Sequence, residues 1–270
     1  QQIPRDNPIV KGCIKAKPGN KIVAMDLTTA EVYVAAVLAK DINLMNVFKA
    51  GGDFHGAIAR LVFSLPCDPD EVSKLYPTQR QAAKAVTFGI MYGAGARKIS
   101  EQVTKDSGSP FSYQQAQEVI DDYFSQFFNL RKWIDHSSMY IRDNGFIYSH
   151  FGRKRRLPNV TSTNKGIASH EVRSGLNFLV QSIASDINLL GAIDAHNVLK
   201  ELPYKADIFA LVHDSILAEV EIDAIDGYKN IIRECVQVDR GLSIPGCPVG
   251  CDFDVGDDYS FGKFEKKYEL

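Results

Sequence analysis

The chain has 270 residues, 45% of them hydrophobic and 24% charged, with a formal net charge of −2. This is globular composition with length enough for a sizeable core in one large or two modest domains, and it excludes a protein that is basic all over. A local basic surface remains open, because the charges are unevenly placed.

No run of about 18 apolar residues occurs, and the first 25 residues carry no secretory apolar core, so a soluble, unexported protein without a membrane partner is expected. Five cysteines leave one unpaired in any disulfide scheme, which points to a reducing compartment. Cys247 and Cys251 form a single C-x3-C with no second pair nearby, so incidental thiols are the simpler reading over zinc.

Lysines 11, 15, 17 and 21 open the chain as a basic cluster, and a second cluster is "GRKRR" at 152–156; Asp252, Asp254, Asp257 and Asp258 make the tail acidic. A polyanion could meet the first two regions and would avoid the last, although solvated faces explain either cluster alone. "KIVAMDL" (21–27) reads as a buried strand ending in Asp26. Thr28 and Glu31 fit a capping box for the helix that follows.

Residues 51–78 are broken by glycines and prolines into short helices and loops. In "RQAAKAVTFGIMYGAG" (80–95), Arg80, Lys84, Phe88 and Tyr92 recur every four residues, so two cations and two aromatics share one slowly winding stripe where a structural helix would be apolar. Ser112 and Gln115 form a second capping box, and Val119, Tyr123, Phe127 and Leu130 mark one long amphipathic helix or two, stopped at Asn144-Gly145. "GFIYSHFGRKRRLP" predicts a hairpin with the basic cluster in its turn. Arg173, Asn177 and Gln181 repeat the four-residue step on a further helix. "DIFALVHDSILAEVEI" predicts a second hairpin with His213-Asp214-Ser215 at its tip.

Asp26 and Asp214 thus stand at strand ends, where most acids are turn residues or caps. If their strands share a sheet, the two carboxylates could clamp two divalent ions about 4 Å apart for phosphoryl transfer.

Taken together, "DLTTAE" (26–31), "RQAAKAVTFGIMYG" (80–93) and "LVHDSI" (211–216) resemble, in order and approximate spacing, the three polymerase motifs of family A DNA polymerases. "DFH" (53–55) and Arg-x3-Asn-x3-Gln (173–181) fall where that family has matching segments. The resemblance implies an α+β fold: a polymerase palm with an antiparallel sheet at 1–38 and 161–270, mostly helical fingers at 39–160, and no thumb or exonuclease. It implies DNA-templated DNA synthesis from dNTPs on primer-template DNA in the bacterial or phage-infected cytoplasm, with two Mg2+ ions that Mn2+ may replace.

The same resemblance implies residue roles. Asp26, the Leu27 carbonyl and Asp214 would hold metal; Arg80, Lys84 and His55 would grip the nucleotide's phosphates, with Lys84 also serving catalysis. Phe88 would pack by the sugar, Tyr92 would stack near the templating base, and Glu31 would exclude the 2′-hydroxyl. Arg173, Asn177, Gln181 and His213 would line the minor-groove side of the primer terminus, with Gly93, on the DNA side, freeing the backbone beyond Tyr92, and Arg153 and Lys154 touching phosphate. Phe88, where the family also uses Tyr, goes with refusal of dideoxynucleotides.

Three departures stand out. Ser215 replaces the acid that usually follows the motif's Asp, "DLTTAE" has a phage-like middle, and the opening "QQIPRDNPIV" resembles the middle of a palm. The expectation is therefore a C-terminal catalytic part, either a fragment or a split subunit needing a partner chain for the thumb. The alternative is a non-catalytic nucleic-acid-binding module derived from a polymerase.

Overall fold

In a computed structural model of the chain, the structure describes residues 8–203 and 205–262. The opening "QQIPRDN" and the last eight residues, both inside the expected palm segments, lie outside the described residues. The fold is α+β, and the chain divides into two compact units.

In chain order the elements begin with α1 (Pro8–Gly12), β1 (Asn20–Thr28), α2 (Ala30–Ala39), α3 (Ile42–Ala50) and α4 (Phe54–Phe63). Next come α5 (Val72–Leu75), α6 (Pro77–Met91), α7 (Ala96–Ser107), α8 (Tyr113–Gln126) and α9 (Phe128–Asn144). The hairpin β2 (Phe146–Tyr148) and β3 (Lys154–Arg156) leads to α10 (Lys165–Leu199), then β4 (Ala206–Val212), β5 (Ser215–Glu221), α11 (Ile225–Val236) and β6 (Gly250–Gly256).

The first unit comprises the described residues within Gln1–Ala30, Ala184–Gly241 and Pro248–Leu270. Its centre is an antiparallel sheet of order β4-β5-β1-β6. Residues Ile22 to Met25 and Leu27 of β1, an interior strand, are all buried, so both faces of the sheet are covered there. The strand runs two residues past Asp26, so Thr28 belongs to β1 and cannot open the next helix as the sequence suggested. Its hydroxyl donates instead to Asp252 Oδ2 at 3.1 Å.

The second unit, Glu31–Ile183 with Leu242–Cys247, is mostly helical. The capping box forms as expected at Ser112 and Gln115, and the long amphipathic stretch is two helices joined at Phe127, whose side chain is buried with Tyr123 and Leu130. A core of Ile141, Ile147, Leu157, Val172, Leu176 and Leu179 ties α9, the β2–β3 hairpin and the first half of α10 together. The hairpin is where it was expected, but Lys154, Arg155 and Arg156 lie on its second strand and not in its turn. An alternating strand edge accepts charged residues when its side chains stay in water, and all three are exposed.

Among the described residues α10 is the one helix long and apolar enough to cross a membrane, and over half of that stretch is buried within the fold. The five cysteines are free thiols.

Candidate active site

The predicted residues fall, in the sheet unit, about the end of β1 and, in the helical unit, at two places along α6. In the sheet unit, the two-residue turn His213–Asp214 joins β4 to β5, with His213 at φ 56°. A two-residue hairpin turn demands such left-handed backbone, which non-glycine residues adopt at a cost. The Asp214 carbonyl accepts from the Leu27 N–H at 3.2 Å, which fixes the turn beside the end of β1.

Asp26 pairs across β1 with Ser215 on one side and Asp252 on the other. Directly paired residues share a face, so these three side chains stand in one row. The Ser215 hydroxyl donates to Asp26 Oδ1, and the Ser215 carbonyl accepts from Asn188 Nδ2 at 3.4 Å. Serine at this position therefore orients the neighbouring carboxylate where a second acid would repel it.

Magnesium takes oxygen ligands and often binds through one or two carboxylates plus water and substrate phosphates. The donor set of Asp26, Asp214, the Ser215 hydroxyl and nearby carbonyls is all oxygen and fits that chemistry. Among the described residues no three His, Cys, Asp or Glu side chains gather as a metal cage.

In the helical unit, α6 carries Arg80, Lys84 and Phe88, and ends at Met91, so Tyr92 is its C-cap and not its last turn. Lys84 is exposed, while Arg80 and Phe88 are half-buried. Arg80 is held by Asp53, from Nε to Oδ2 at 2.5 Å and from Nη2 to Oδ1 at 2.8 Å. His55 packs on Phe88 with ring centroids 5.5 Å apart, and a run of ring contacts continues through Phe54 and Phe48 to Tyr33.

Burial and the cations of Lys84 and Arg80 push the His55 imidazole down to about 4, against the pull of Asp53, so it is neutral at pH 7. Its Nδ1 is buried without a hydrogen-bond partner. Burial alone would raise the Asp53 carboxyl, but the Arg80 hydrogen bonds, the Gly56 amide and the surrounding cations hold it below the usual range.

At the other end of α6, the Tyr92 hydroxyl donates to Glu31 Oε2 at 2.6 Å and accepts from Gln181 Nε2 at 3.3 Å. Gly93 has φ 65°, and a Cβ there would sit 2.3 Å from Arg173 Cδ. Gly93 is thus required by both its backbone and its neighbour. The structure brings Glu31, Tyr92 and Gln181 together, and Gly93 with Arg173; Asn177 lies one turn on, its Oδ1 buried and unpartnered. Arg153 and Lys154 sit apart on the hairpin, where Lys154 Nζ lies 3.9 Å from the Phe146 ring centroid.

Sequence reasoning missed two partners. Asp53 was noted only as part of "DFH", and Asp252 only as part of an acidic tail. Neither lies at a local spacing from its partner, and only sheet register or helix packing could reveal them.

Residues 1–260 match the sequence pattern of the family described as DNA polymerase family A. The chain is 47% identical to the DNA polymerase of Escherichia phage T5 over 99% of its own length and 34% of that enzyme's. It is 31% identical to the thermostable DNA polymerase I of Thermus filiformis, covering 91% of this chain and 28% of that one. The chain thus spans about a third of the length of these relatives. Among solved structures, the polymerase domain of Pol1 from M. smegmatis, in complex with DNA primer-template and dNTP, superposes with a TM-score of 0.81 at 23% identity, over 96% of this chain and 44% of that one. That likeness carries the fold, and the sequence matches carry the family: the chain belongs to DNA polymerase family A.

Proposed function

We propose that this chain is the nucleotide-adding part of a DNA polymerase, joining the α-phosphate of a dNTP to a primer 3′ oxygen with release of pyrophosphate. The observation that supports it best is on α6 and its neighbour: Arg80, Lys84 and His55 gather three basic groups beside the Phe88 ring. Such a cluster suits a triphosphate, whose charge grows on the leaving oxygens as the bond breaks.

In this reading Arg80 and Lys84 neutralise the phosphates, and Lys84, the exposed one, moves with the leaving pyrophosphate's charge. His55, uncharged in the free protein, contributes as a hydrogen-bonding ring. Phe88 packs by the sugar, Tyr92 meets the template side, and Glu31, held by the Tyr92 hydroxyl, crowds the 2′ position. Asp26, Asp214 and the Leu27 carbonyl would hold Mg2+, with Mn2+ able to replace it. Bound there, two such ions would activate the primer hydroxyl and stabilise the leaving oxygen.

Arg173, Asn177, Gln181 and His213 line the primer terminus with Gly93, while Arg153 and Lys154 meet backbone phosphate. The palm is assigned to 1–38 and 161–270 and the fingers to 39–160, with a thumb supplied by another segment or chain, all in the cytoplasm. Ser215, which turns its hydroxyl onto Asp26 where the family carries an acid, favours a second reading: a nucleic-acid-binding module without turnover.

Extension of a labelled primer-template by one nucleotide, at low salt with Mg2+, separates the two. Extension that falls at least a thousandfold in Asp214→Asn, with DNA binding retained, is the expected result, each tenfold being about 1.4 kcal/mol of barrier. Undiminished turnover in that variant sinks the metal assignment. Absence of dNTP binding moves the chain to the second reading.

A further inference from the structure

The Arg80 guanidinium is gripped along one edge only. Of its five N–H donors, two go to the Asp53 carboxylate, at 2.5 and 2.8 Å, leaving the Nη1 edge for another anion. A fork-to-fork grip fixes the plane of a guanidinium as well as its position, which a single contact does not.

Asp53 is itself built in. It stands at the N-cap of α4, and its backbone N–H donates to Asp70 Oδ1 at 2.8 Å. At Gly56 an added Cβ would lie 2.1 Å from the Pro69 carbonyl and 2.8 Å from Asp53 Oδ2, so the fold omits a methyl where the carboxylate and the loop approach. The Asp53 side chain is 16% exposed and that of Arg80 30%, so the pair is sheltered compared with an ordinary surface ion pair.

We infer that Asp53 is a positioning residue for nucleotide binding: it holds the Arg80 fork in place so that the remaining Nη1 edge is presented, already ordered, to the terminal phosphates of the incoming dNTP. This rests on the reading of Arg80 as a phosphate ligand. Ordering a long side chain before the ligand arrives removes that cost from binding.

The direction of the effect is diagnostic. By charge alone, a carboxylate beside a phosphate site repels the ligand, and its removal tightens binding. A positioning carboxylate does the opposite.

The test is equilibrium titration of the 270-residue chain with dATP and with dAMP, in Mg2+, for wild type, Asp53→Asn, Arg80→Ala and the double variant. The Asp53 side chain makes no capping hydrogen bond to α4, and asparagine suits an N-cap position as well as aspartate, so Asp53→Asn removes the charge without undoing a cap. The expected result is a loss of about tenfold in dATP affinity for Asp53→Asn, no matching loss for dAMP, and no further loss when Arg80 is already Ala. Unchanged or tighter dATP binding in Asp53→Asn, with Arg80→Ala still weakened, overturns the inference and leaves the phosphate role standing. Unweakened binding in Arg80→Ala overturns both.

If Asp53→Asn fails to fold by thermal melting, Arg80→Lys decides. Lysine keeps the charge but cannot be held by two parallel bonds, so it should bind dATP as weakly as Arg80→Ala. Wild-type affinity in Arg80→Lys overturns the inference.

Discussion

His55 and Asp53 stand two residues apart at the start of α4, and the fold shifts both so that acid works against it. For His55 the folded value near 4 lies below the ordinary 6.5, so between those pH values the unfolded chain binds the extra proton. Stability from this group is therefore complete above about pH 6.5 and is lost as pH falls towards 4. Asp53, whose folded value is also lowered, adds a loss of the same sign further into acid. Urea midpoints measured from pH 7 to 4 should fall more steeply for wild type than for His55→Gln, and equal slopes would contradict the burial of a neutral ring.

Gly93→Ala places a side chain at φ 65° and against Arg173, and should cost about 1–3 kcal/mol, read as a lower urea midpoint. Phe88→Tyr belongs to the same scale: it should raise the ratio of dideoxy- to deoxynucleotide incorporated, and an unchanged ratio would count against the sugar-facing place given to Phe88.

At the scale of elements, what could be read from the chain was what local period encodes. Short apolar runs became β1, β4 and β5, and the four-residue steps became α6 and α10. Ends were harder, because they are set by partners distant in sequence. Thr28 stays in the strand because Asp252 accepts its hydroxyl, and Tyr92 leaves its helix where Glu31 and Gln181 meet its phenol.

The basic run 153–156 read as a turn because charge and glycine suggest loops, yet Arg156, Arg155 and Lys154 pair with Phe146, Ile147 and Tyr148. The stripe singled out Arg80, whereas its clamp at Asp53, 27 residues earlier, was not legible. The hairpin's anchorage can be tested at Leu157, which is 1% exposed in the core shared by α9 and α10. Leu157→Ala should cost about 2–5 kcal/mol, checked by denaturant titration of the chain.

For the whole molecule, a net charge of −2 conceals an uneven distribution. In the amino-terminal cluster, Lys21 is paired with Asp257 at 2.6 Å and Lys17 lies 3.7 Å from Glu219, so Asp257 of the acidic tail and Glu219 of β5 answer part of the basic start. Those lysines have less charge to offer DNA than the sequence suggests. On the β2–β3 hairpin, the exposed Lys154 rests its ammonium on the Phe146 and Tyr148 rings.

Binding of primer-template followed against salt should therefore show a slope shallower by about 0.7–0.9 in Lys154→Ala and nearly unchanged in Lys21→Ala. Equal changes in both would place the DNA on both regions.

The placement of β1 between β5 and β6 has a further consequence. Each of its edges is bonded, so its amides should exchange with deuterium more slowly than those of β4 and β6, which lie at the sheet's margins and can fray. Asp26 is thereby carried on an interior strand and Asp214 on a turn tied to the margin. Under mild heat or denaturant, release of the β4 margin would loosen the turn that carries Asp214 before β1 gives up Asp26.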